Sequence, residues 1–284
     1  MAIGFQALLE HTTGSRNLAI GYGAMNDTGA NDCPTSVDNI FIGFDAGGGT
    51  WTTNDSNYNI GIGNYTMDAV MNDANSNVAI GYGALGALTT ADNTIAIGRN
   101  ALRALLGGAG NIGIGYQAGL AITTGTNNIA IGEGAMDELV HGSTNIAIGF
   151  GAMGGIQAGG TQTTSDGSEH NIAIGYQALG GAWADSLNNY NIAIGNTSQD
   201  AIMNGACCNV SMGFDTLGAV TGGTNNTIIG HNAGNGITTG RYNTGIGNAV
   251  AFDVDVNNQT AIGNGATTAV TGANTIMMGN SSMT

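Results

Sequence analysis

The side chains that could do chemistry are few and scattered. Asp253-Val254-Asp255 would put two carboxylates on one face of an extended strand, and Asp166 and Glu169 share one long glycine-rich segment. Two acids about 5–9 Å apart could cleave a glycosidic bond, and with carbonyl oxygens they could hold calcium. Polar surface is the plainer reading of both pairs. His11, His141, His170 and His231 lie far apart with no i, i+2 or i+4 partner, so they form no metal or base pattern. Cys33 and the adjacent Cys207 and Cys208 have neither metal spacing nor a disulfide framework. Gly-x-Gly matches such as Gly61-Ile62-Gly63 lack the following helix that would hold a phosphate. No Gly-x-Ser-x-Gly elbow occurs. The expectation is a protein that is not an enzyme and carries no cofactor; a structural cation has no support in the sequence.

Charge narrows the partners. Only 8% of the 284 residues are charged, four of them arginine and nineteen acidic, for a net charge of −15. Nucleic acid and anionic membrane both need a basic surface, so neither is expected as a partner. No apolar run approaches the roughly 20 residues that span a bilayer. The first residues, Met-Ala-Ile-Gly-Phe, already read as a repeat rather than a signal peptide.

What must position any site is a repeat. With small variations, the stretch Asn-Ile-Ala-Ile-Gly recurs sixteen times, ending at Gly4, Gly21, Gly43, Gly63 and so on to Gly279. The residue before the glycine is Ile in fourteen copies, and the residue four before it is Asn in twelve of fifteen. The basic period is 16–17 residues. A clean copy, Asn111–Asn127, reads as a strand to Ile114, a corner at Gly115, a second short strand over about Gln117–Thr123, and a turn. That is one rung of a narrow two-sided β-roll. Helical-hairpin repeats need about 34 residues and would be destabilised by this much glycine. The expected fold is therefore an all-β parallel solenoid of about sixteen rungs, a single repeat domain over residues 1–284. At about 4.8 Å per rung it would be a rod on the order of 75 Å long.

The first strand carries an apolar triplet, as in Ile129-Ala130-Ile131. Side chains alternate along a strand, so the two isoleucines point one way and the small central residue the other. An uninterrupted apolar run needs cover on both faces. The second strand of the roll covers one; a thin roll has no layer left for the other. A stripe this long exceeds what soluble monomers expose, so the reading is an obligate homo-oligomer with Ile20, Ile80, Ile114, Ile131, Ile148, Ile174 and Ile194 in its core. The column of Asn17, Asn77, Asn111, Asn128, Asn145, Asn171 and Asn191 is expected to hydrogen-bond along one corner, satisfying turn amides.

The spacing breaks near 31–35, 47–53, 154–170 and 180–190, which read as inserted surface loops. Trp51, Tyr58, Trp183 and Tyr190, on or beside these insertions, are the candidate receptor contacts, since such aromatics suit sugar or protein binding. Aromatic residues also follow many repeat glycines (Phe5, Tyr22, Phe44, Tyr82), giving way to polar ones after Phe214.

The segments Asn171–Leu179 (NIAIGYQAL) and Asn128–Met136 (NIAIGEGAM) resemble the head repeats of trimeric autotransporter adhesins. They are still more similar to the TTGxNNIAIGYQAL-type repeats of bacteriophage tail fibres, as in Thr123–Met136. The resemblance covers essentially the whole chain. It implies a left-handed parallel β-roll, a homotrimer about a threefold axis, and a role in surface attachment. A phage tail or virion fibre shaft, located on the virion and contacting a host surface glycan or protein receptor, is the leading reading. The head of an adhesin on a bacterial cell surface is the alternative. Both ends fall within or next to a repeat, so end-to-end stacking with further fibre or virion proteins is also expected. A glycan-cleaving tailspike would need the acid pairs in a cleft. Ice binding would need a regular threonine array, whereas Thr12/Thr13, Thr89/Thr90, Thr123/Thr124 and Thr238/Thr239 lie in non-neighbouring rungs.

Overall fold

The computed structural model describes residues 1–9, 11, 14–26, 35–52, 54–155, 167–181, 183, 186–268 and 273–279. Residues 31–34 of the first insertion, 156–166 of the third, Thr12, Thr13 and Cys33 lie outside them, and so does Asp166. The described chain is all-β, with sixteen short strands and no α-helix. It divides into two compact units, Met1–Gly142 and Ser143–Thr284.

The first unit holds β1 (Ala2–Ile3), β2 (Leu18–Ile20), β3 (Ile40–Ile42), β4 (Ile60–Ile62), β5 (Val78–Ile80), β6 (Ile95–Ile97), β7 (Ile112–Ile114) and β8 (Ile129–Ile131). Each pairs in parallel with the next, in a register that sets like on like: Ile95 beside Ile112, Ala96 beside Gly113, Ile97 beside Ile114. The second unit repeats the plan with β9 (Ile146–Ile148), β10 (Ile172–Ile174), β11 (Ile192–Ile194), β12 (Val210–Met212), β13 (Thr227–Ile229), β14 (Thr244–Ile246), β15 (Thr260–Ile262) and β16 (Ile276–Met278). In-register parallel stacking of successive rungs is a β-solenoid. The repeat motif is its strand.

The glycine that ends each strand is fixed by the rung beside it. Gly115 has φ +134°, and a Cβ there would lie 2.5 Å from the carbonyl oxygen of Gly132. No L side chain fits that approach. The glycine turns the chain into the interior, where the central strand residues (Ala79, Ala96, Ala130, Ala173, Ala193) are fully buried. Large and small residues compensate inside this narrow core. Phe41 fills space left by Gly47 and Gly61, and a Cβ on either glycine would come within 2.8 Å of its ring. Leu102 likewise occupies the room above Gly113 and Gly119.

The second strand expected over Gln117–Thr123 is absent; that side of each rung is a run of turns. The reason is local backbone shape. Residues two and four after many repeat glycines take positive φ, such as Asn100 (57°) and Leu102 (48°) or Gln177 (51°) and Leu179 (49°). Alternating left-handed residues bend the chain instead of extending it. Hydrogen bonds still run from rung to rung, as from Leu102 N–H to Ala118 O (2.9 Å) and from Gly119 N–H to Ala135 O (2.8 Å). Single bridges such as Trp51 to Met71 and Trp183 to Met203 add pairing where the loops are longer. The core is thus closed by turns that share the strand's hydrogen-bond direction.

Candidate functional site

The outer face of the repeat strands is the most extended candidate surface. In both units the central strand residue faces in and its neighbours face out. Ile20, Ile114, Ile131, Ile174 and Ile194 are half-buried, while Ile80 is 37% and Ile148 36% exposed. Ile62, Ile97 and Ile246 match them at 39%, 37% and 43%. An apolar side chain, isoleucine in most rungs and methionine at Met212 and Met278, therefore stands at least partly exposed along each unit.

A second column runs beside it, just past the glycine corner. In the first unit Phe5 stacks on Tyr22 (centroids 5.4 Å apart), and Tyr22 stacks on Phe44 (5.1 Å, 8° between planes). Phe44 meets Tyr65 edge-on at 5.4 Å, and Tyr65 meets Tyr82 at 5.6 Å. The guanidinium of Arg99 then sits between Tyr82 and Tyr116, 5.9 and 5.8 Å from their centroids. The second unit has shorter stacks, Phe150 on Tyr176 (5.5 Å) and Phe214 on His231 (5.3 Å). In these parallel pairs each ring gives a face to the neighbouring rung. The sequence carries part of the signal, an aromatic directly after eight of the sixteen repeat glycines, but not the register that stacks them.

The four aromatic candidates divide into two pairs. Trp51 is fully buried and Trp183 8% exposed, so neither indole is a surface contact in this fold. Each is pinned to the backbone four residues earlier, Trp51 Nε1–H to Gly47 O (2.8 Å) and Trp183 Nε1–H to Leu179 O (3.2 Å). Phe41 and His11 pack edge-on against Trp51. The physical reason is that a longer rung leaves interior volume, and the indole fills it. Tyr58 and Tyr190 are different: they are 58% and 57% exposed, at the left-handed corner just before the ladder asparagine. Tyr190 stacks on His170 (5.0 Å, 7°).

Behind that corner the asparagines form a buried relay. Asn59 Oδ1 accepts from both the backbone N–H and the Nδ2 of Asn77, at 3.0 and 3.1 Å. Asn59 Nδ2 in turn donates to Asn39 Oδ1 and to Ala74 O. Asn17 through Asn77 are linked this way, Thr94 interrupts the relay, and Asn111 to Asn128 resumes it. In the second unit it runs from Asn145 through Asn171 and Asn191 to Asn243. The column positions backbone; its polar atoms are spent on the fold.

Of the two acid pairs, only Asp253 and Asp255 lie wholly within the described residues. Asp255 lies in a turn and Asp253 just before it, neither on a strand. Asp255 Oδ1 accepts from the hydroxyls of Thr238 (2.5 Å) and Thr239 (2.7 Å), which hold its carboxyl below the usual range. Elsewhere burial pushes carboxyls up. Asp137 is raised to about 6 by desolvation and by neighbouring Glu138, and its Oδ1 is buried without a hydrogen bond. Asp68 is raised by burial, with Arg103 opposing. It lines an open pocket of about 380 Å³ with Tyr65, Tyr82, Gly86 and Arg103. Among the described residues no three His, Cys, Asp or Glu side chains group as metal ligands, and no helix is long and apolar enough to cross a membrane. No family model, curated protein or solved structure matches the chain.

Proposed function

We propose that this chain is a structural fibre protein, the homotrimeric left-handed shaft of a bacteriophage tail or virion fibre. Three copies would pack the outer faces of their repeat strands together about a common axis. The observation that carries this reading is the uncovered isoleucine column. Its members are 36–43% exposed at Ile62, Ile80, Ile97, Ile148 and Ile246, although in-register stacking places them one above another for rung after rung. Burying an isoleucine contributes roughly 1.5–3 kcal/mol, so leaving a whole column half in water is costly unless another chain covers it. Tyr58, Tyr190 and the edges of the aromatic stacks would remain as surface for a host glycan or protein receptor. Attachment, in this reading, is by binding and not by cleavage. Multi-angle light scattering on the native chain tests it: the expected mass is three times 28.3 kDa, and a monomer would overturn the reading.

A further inference from the structure

The open cavity of about 380 Å³ in the first unit has no part in building the shaft. It lies across three successive rungs at the fifth residue after the repeat glycine: Asp68 after β4, Gly86 after β5 and Arg103 after β6. Tyr65 and Tyr82 form an aromatic wall beside them. The middle residue makes the room. A Cβ on Gly86 would stand 3.4 Å from Asp68 Oδ1 and 3.7 Å from Arg103 Cγ, so a side chain there would enter the space between acid and guanidinium. The backbone does not ask for glycine at that place. Gly86 is not among the glycines with positive φ, and Leu120 and Asp137 hold the same position in later rungs. Gly83 widens the opening, although Asp45 and Asn100 carry side chains at its position with the same left-handed φ.

The second unit contains a closed counterpart. Asp200, Gly218 and Asn235 hold the same three places, but Asp215 stands where the middle rung of the first unit has Gly83. Asn235 Nδ2 donates to Asp215 Oδ2 (2.9 Å), and Asn235 Oδ1 accepts from the Gly218 N–H (2.9 Å). Those polar atoms satisfy one another. In the first unit they do not: among the described residues no hydrogen bond or ion pair joins Asp68 to Arg103, although both line the cavity. Asp68 accepts from its own backbone N–H, and Arg103 Nη1 reaches Asn100 Oδ1 at 3.5 Å, the long limit of a hydrogen bond. A partly buried carboxylate with acceptor capacity and a guanidinium with spare donors thus face one space.

An acceptor and a donor set against aromatic carbon suit a polyhydroxylated ring. Its C–H groups pack on the wall, and its hydroxyls can both donate to the acid and accept from the guanidinium. Charge around the cavity is balanced. Asp45 and Asp68 stand against Arg103 and Arg99, whose guanidinium lies 5.9 Å from the Tyr82 centroid. With a net charge of −15 on the whole chain, an anionic ligand would be repelled. We propose that this cavity binds one hexopyranose unit of a neutral glycan, with Asp68 accepting from its hydroxyls, Arg103 donating to them, and Tyr65 and Tyr82 supplying the apolar wall. The site rests on the attachment reading above and gives that contact a place and a ligand class. One chain holds every residue of it.

Saturation-transfer NMR on the full chain tests it, with methyl α-glucopyranoside, methyl α-galactopyranoside and methyl α-mannopyranoside as probes at millimolar concentration. Methyl α-glucuronide, the same kind of ring with a carboxylate, is the anionic comparison. The expected result is transfer to at least one neutral glycoside and weaker transfer to the glucuronide. Gly86→Leu should abolish the signal by filling the cavity. Arg103→Gln, at an exposed position, should weaken the affinity about tenfold, the worth of one hydrogen bond to a charged group. Circular dichroism establishes that each variant keeps the fold. No transfer to any of the three neutral probes, equal or stronger transfer to the glucuronide, or transfer unchanged in either folded variant would overturn the proposal. Light scattering on the same samples separates the site from the shaft. A trimer that binds no glycoside refutes the site alone, and a monomer that binds one refutes the shaft alone.

Discussion

The two faces of one strand make the most instructive contrast in the molecule. On β8, Ala130 is fully buried while Ile129 and Ile131 beside it stay half in water. The smallest side chain is inside and the larger ones are outside, the reverse of an ordinary soluble sheet. The inner face is completed within the chain, where Leu85, Leu102, Leu105 and Met136 are fully buried and Leu102 lies against Gly113 and Gly119. The outer face is built to equal regularity and has nothing over it. Geometry on the inside is tight enough to exclude a single methyl group; outside, an apolar column stays half in water.

That contrast sets the scale of the expected effects. Gly115→Ala attacks the inner side where tolerance is least, since φ +134° and the Gly132 carbonyl 2.5 Å away both forbid a Cβ. Strain and overpacking together should cost about 3 kcal/mol or more, read as a fall in the urea midpoint. Asn59→Ala removes a buried relay and leaves the Asn77 backbone N–H without its acceptor. The expected loss is about 1–3 kcal/mol by the same measurement. The natural break at Thr94, whose hydroxyl turns to Asp92 O instead, shows that one interruption is survivable.

Asp137 gives the smallest effect and a sign that can be checked. Its folded value of about 6 lies above its ordinary 3.8, so the native state binds more protons between those values. Stability therefore should be fully present below about pH 4 and decline as pH rises towards 6. Asp137→Asn should flatten that part of the profile and be the more stable chain at pH 7, measured as melting temperature against pH. An unchanged slope would show that the carboxyl is solvated.

Much of this fold is legible in the sequence because the repeat states it sixteen times. The strand, its in-and-out alternation and the rung-to-rung register follow from Asn-Ile-Ala-Ile-Gly and the period-2 pleat. The far side of the rung was not legible. Gln117 and Leu102 adopt left-handed conformations with side chains that give no such hint, so a run of turns reads as a strand. The indoles misled for a related reason: insertion suggested surface, whereas the extra length of those rungs opened interior volume that Trp51 and Trp183 fill. The aromatic stack needed the three-dimensional register that sets Tyr22 on Phe44.

The claim that other copies complete the outer face is tested most directly by sedimentation equilibrium on the native chain beside Ile114→Asp/Ile131→Asp. Neither side chain enters the inner core, so the variant should keep the native far-ultraviolet circular dichroism. The account predicts three times 28.3 kDa for the native chain and a shift to the single-chain mass for the variant. A native monomer, or a variant that associates as the native chain does, would contradict it.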